Sequence, residues 1–155
     1  MWWFDKGKRK RKEVWDEEIQ GPIGDIEAAH IIRDICRSAA DSAERTGGVA
    51  ARRDNKNDDK NSNETGKNNK NNKNKDDKDT RRDAHEADRY ERAAKAAMEI
   101  AIKISDGLLR DASVRQIVDL CMKASDLRTA RILFRAIQTP LIKAEVLNDH
   151  PMLKQ

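Results

Sequence analysis

Glu27 and His30, in the run Glu27-Ala-Ala-His30, and the cluster His85-Glu86-Ala87-Asp88 carry side chains that could ligate a metal. On a helix, residues three apart share a face, and Glu-x-x-His is the unit used by di-metal carboxylate bundles. Such a centre takes two of these units, and the sequence holds one. Both clusters also fall near expected helix starts, so an antiparallel hairpin would set them at opposite ends. Solvated helix faces account for them better. An Asp- and Asn-rich calcium loop starting at Asp59 fails where it matters. Its sixth position, which takes Gly, is Glu64, and its twelfth, which takes a bidentate acid, is Lys70. There is no nucleophile elbow and no phosphate-cradling glycine loop. The sequence therefore assigns no catalytic residue, cofactor or metal, and the chain reads as a binding protein rather than an enzyme.

Two groups of side chains suit binding. The first is the N-terminus, where Trp2, Trp3 and Phe4 precede Lys6, Lys8, Arg9, Lys10, Arg11 and Lys12, followed by an acidic stretch, Glu13–Glu18, around Val14 and Trp15. An aromatic tip can anchor in a partner's groove. Aromatics beside a polybasic run also suit an anionic membrane surface or single-stranded nucleic acid. A fourth arrangement folds the aromatics back onto the chain while the acids neutralise the lysines. The second group is Arg128, Arg131 and Arg135. At 100° per residue they fall within about 60° of one another, a stripe that could hold carboxylates or phosphates. The same stripe serves equally as a solvated face with its stems over the core. A helix-turn-helix over residues 113–137 lacks the usual turn glycine, and Leu120 stands where a small residue lets the helices cross.

These groups must be positioned by helices. Apolar residues recur at spacings of three and four in Ala28, Ile32, Ile35 and Ala39, and Asp25 is placed to cap that helix. Gly47-Gly48 is expected to end it. From Thr80 to about Leu109 a longer stripe runs through Ala87, Tyr90, Ala94, Ala97, Ala101, Ile104 and Leu108. Ser113 with Gln116 reads as a capping box, Ser125 or Asp126 as the next cap, and Thr139-Pro140 as the start of a helix ending near Leu147. No segment alternates with the period of a strand.

Between the two long helices, Asp54 to Asp79 comprises nine Asn, seven Lys, six Asp and four other polar or glycine residues. With nothing apolar to bury, this stretch is expected to be a disordered loop. Cys36 and Cys121 sit in helical patterns at no disulfide or zinc spacing, which suits reduced core thiols in the cytoplasm. The net charge of +4 is too small by itself to imply a nucleic-acid partner.

The expected architecture is all-α. An N-terminal arm (1–20) precedes a first hairpin helix (21–53), a polar insert (54–79), a long helix with short C-terminal helices (80–148) and a tail (149–155). The expected function is that of a helical adaptor, contacting a protein partner through its arm and helix faces. A nucleic-acid-binding protein and a peripheral membrane protein are the alternatives. The Ala-rich seam would also serve a coiled-coil homo-oligomer.

Overall fold

The computed structural model describes residues 12–16, 19, 21–58 and 73–154. It is all-helical: a 3-10 turn at Val14–Asp16, α1 (Asp25–Asp58), α2 (Lys73–Ala101), α3 (Gly107–Lys123), α4 (Leu127–Ala136), α5 (Pro140–Asp149) and a second 3-10 turn at Pro151–Lys154. Helices α1 and α2 pack as a long hairpin, and α3 lies against both while carrying α4 and α5 on its other side. The expected class and hairpin are what the chain adopts.

Helix α1 buries Ala28, Ile32, Ile35, Ala39 and Ala43, so its apolar stripe faces α2 and α3. Facing it, α2 buries Tyr90, Ala93, Ala94, Ala97 and Ala101. Alanines on both sides let the helix backbones approach closely, while Tyr90 and the isoleucines fill the wider parts of the interface. The seam residues Tyr90, Ala94, Ala97, Ala101 and Ile104 are thus consumed within one chain.

Four boundaries differ from expectation, each for a physical reason. Gly47-Gly48 does not end α1, which continues to Asp58. A Cβ on Gly47 would lie 2.2 Å from the Lys123 carbonyl oxygen, so this glycine lets α1 pass over the C-terminal end of α3. Helix α2 begins at Lys73, and Thr80 sits inside it with its hydroxyl donating to the Asp76 carbonyl. Residues 54–58 and 73–79 of the polar insert are therefore helical, while the expected loop at 59–72 lies outside the described residues.

The other two concern the long stripe and the capping box. Helix α2 stops at Ala101, because Ile104 is buried in a turn and Asp106 caps α3 by accepting from the Leu109 amide at 2.7 Å. Leu108, the last member of the expected stripe, is 62% exposed on α3. Ser113 is not a cap; it lies within α3, its hydroxyl donating to the Leu109 carbonyl.

The C-terminal helices are held by buried or bridging acids. Asp111 on α3 is 1% exposed. Its Oδ2 accepts from the Gln138 amide (2.9 Å), the Thr139 amide (2.7 Å) and the Thr139 hydroxyl (2.7 Å), capping α5 from a different helix. Burial works to raise the Asp111 pKa, but these three donors, with Arg110 nearby, outweigh it and hold the carboxyl below its ordinary range. Asp126 caps α4 through the Thr129 amide and accepts from the Tyr90 hydroxyl at 3.0 Å, tying the turn to α2. Arg115 on α3 clasps Glu145 and Asp149 on α5. The expected tail is part of the fold, since Leu153 is 2% exposed in the second 3-10 turn.

Candidate binding cleft beside the N-terminal strap

Residues 12–16, with Ile19, form a strap across the hairpin. Glu13 and Asp16 stand three apart, as do Arg89 and Arg92 on α2, and the two sets pair. Arg89 donates through Nε (2.9 Å) and Nη2 (3.0 Å) to both Glu13 oxygens, while Arg92 pairs with Asp16. The remaining Arg89 nitrogen, Nη1, donates to the hydroxyl of fully buried Ser42 (2.9 Å), which in turn donates to Glu86 (2.6 Å). Arg89 also lies over the Trp15 ring, 5.3 Å from its centroid. A bidentate carboxylate is the main cause of an Arg89 pKa raised further above its ordinary value. The guanidinium is a fixed charge that anchors the strap.

The strap encloses an open cleft of about 460 Å³. Trp15 and Val14 form one wall, and Ile19, Ile31, Ile35 and Ile100 line the rest. Asp16, Glu99 and Lys103 stand around it. This is the volume range and the mostly apolar lining of a site for a small ligand or for two or three side chains of a partner. Its charged residues, Asp16, Glu99 and Lys103, could orient an incoming group.

Of the expected binding residues, Trp2, Trp3, Phe4, Lys6, Lys8, Arg9, Lys10 and Arg11 lie outside the described residues. Lys12 leads into the strap, and Trp15 is half-buried in the cleft wall with its Nε1 shielded and unbonded. Arg128, Arg131 and Arg135 share the outer side of α4, which packs on α3 and the second 3-10 turn, whereas the strap packs on α1 and α2. Glu27, His30, His85 and Asp88 are exposed, and Glu86 is occupied by Ser42. Ile19 and Ile100 escaped the sequence reading, and Ile31 reads there only as a member of the first helix's apolar stripe. The matched three-residue spacing of acids at 13 and 16 and arginines at 89 and 92 was a signal for the strap, not for these isoleucines.

Both thiols are sheltered. Burial, with smaller contributions from Cys121 and Asp119, pushes Cys36 up to about 12, and burial likewise raises Cys121 to about 11. Burial raises the Tyr90 hydroxyl too, with its hydrogen bonding to Cys121 adding to the effect. These groups are protonated at neutral pH and form packing, not chemistry. Among the described residues, no helix is long and apolar enough to cross a membrane. Comparison with protein-family models, with curated proteins and with solved structures finds no match for this chain.

Proposed function

We propose that this chain is a helical protein-binding module whose strap and hairpin form a receptor cleft for an apolar or aromatic segment of a partner protein. One observation carries the reading. A tryptophan wall is fixed by a bidentate Glu13–Arg89 pair beside the partly exposed Ile19 and Ile31, leaving about 460 Å³ unfilled. A side chain held this firmly loses little entropy when a ligand packs on it, which is what makes a binding anchor efficient. The arm at residues 1–11 continues directly from this site and would extend the contact.

Photo-cross-linking tests it. A benzophenone side chain at Val14, which lines the cleft and is 42% exposed, should capture a protein in the native host. The same probe at Glu27, away from the cleft, should not. The captured protein, purified, should bind the wild-type chain and lose about tenfold or more in affinity to Ile31→Glu, since a charge would be buried in the apolar lining. Capture of lipid or nucleic acid at Val14, or binding indifferent to Ile31→Glu, overturns the proposal.

A further inference from the structure

The C-terminal quarter of the chain has its charges sorted by pairing. Its four side-chain carboxylates all have partners: Asp119 with His150, Asp126 with Tyr90 and the α4 cap, Glu145 and Asp149 with Arg115. Its arginines do not. Helix α4, Leu127-Arg-Thr-Ala-Arg-Ile-Leu-Phe-Arg-Ala136, contains no acid, and Arg128, Arg131 and Arg135 form no ion pair among the described residues. Arg128 and Arg135 are exposed. Arg131 is half-buried, and its Nε is shielded from water with no acceptor, an unmet demand for an anion or carbonyl oxygen.

Ile132 decides what kind of anion. It sits on the same side, four residues after Arg128 and three before Arg135, and is 59% exposed. Its apolar side chain, between Arg128 and Arg135 along the axis and at one edge of the arginine stripe, has no use for a phosphodiester backbone. It has the anatomy of a protein-interface core with a charged rim. Arg128 and Arg135 are seven positions apart, about 10 Å along the axis, which is two turns of a facing helix.

The geometry points to a second docking surface on the outer face of α4, shaped for an acidic amphipathic helix of a partner protein. That helix would present carboxylates about one turn apart on either side of one large apolar residue. The surface belongs to different elements from the strap cleft and does not depend on it.

The test uses the full-length chain and three fluorescent probes of equal charge. The first is a helical peptide with Glu residues flanking a single Leu on one face. The second has the same composition with the Leu moved to the opposite face, and the third is a single-stranded oligonucleotide. The patterned peptide should bind about tenfold more tightly than either of the others. Arg128→Gln with Arg135→Gln should weaken it about tenfold and Ile132→Ser about fivefold, while Ile31→Glu in the strap cleft should leave it unchanged. All are surface or cleft-lining changes, and circular dichroism should give the wild-type helical signal for each. Equal binding of the displaced-Leu peptide or the oligonucleotide, or indifference to Ile132→Ser, would mean that charge alone acts and would overturn the proposal. So would self-association of the free protein that the paired arginine substitutions abolish.

Discussion

The hairpin and the C-terminal helices are both helical, yet they are specified in different ways. Between α1 and α2 the information lies in periodicity: small and branched apolar residues repeat at three and four, and the helices close along the stripe. Between α3, α4 and α5 it lies in a few acids whose partners are distant in sequence, with Asp111 closing on Thr139 and Asp126 on Tyr90. A stripe spreads its stabilisation over many residues, each replaceable at modest cost. A shared cap concentrates it in one side chain.

Breaking that contrast should produce a ranked series. Asp111→Ala removes the acceptor for two amides and a hydroxyl in a buried site and should cost about 3 kcal/mol in denaturant unfolding. Gly47→Ala comes next. The new methyl must displace α1 from the Lys123 carbonyl, at about 2 kcal/mol, whereas Gly48→Ala, with nothing within 4 Å, should stabilise by roughly 0.5–1 kcal/mol. Equal effects at the two glycines would remove the close-approach explanation. Arg115→Ala, which frees Glu145 and Asp149 on a partly exposed surface, should cost less, about 0.5–1 kcal/mol.

Acid sharpens the same comparison. Asp111 has a lowered pKa, as does Asp25, whose carboxylate accepts from the Asp106 and Ser105 amides and from the Ser105 hydroxyl. A depressed carboxyl contributes stability that is fully present above its unfolded value of 3.8 and is lost as pH falls through the lower folded value. Unfolding followed from pH 7 to pH 2 should therefore show a loss below about pH 4 that is shallower in Asp111→Asn. An unchanged slope in that variant would show that the inter-helix cap does not govern acid stability.

This division also explains what the sequence made legible. Tyr90, Ala94, Ala97 and Ala101 announced their helix because their partners share the same period. Thr139-Pro140 announced its helix through local chemistry. The stripe misled at Leu108 because Ile104 keeps the apolar rhythm inside a turn, and Asp25, some 80 residues upstream, helps hold that turn through the Ser105 and Asp106 amides. Gly47 misled because a glycine needed for contact looks, in sequence, like a glycine needed for termination. Of the candidate site, Trp15 and the acids beside it were visible. The isoleucines opposite were not, since nothing local says which faces of α1 and α2 a strap will leave uncovered.

The crossing at Gly47 has a mechanical consequence. Buried apolar contacts on α1 stop at Ala43, and α1 continues for eleven residues past Gly47, about 16 Å. Across from it, the first turns of α2 run alongside, braced at their base by the Arg45–Asp83 pair at 2.8 Å. The chain thus carries a two-stranded mast with no core of its own. The ends of this mast, at Asp58 and Lys73, can therefore fray without taking core contacts with them.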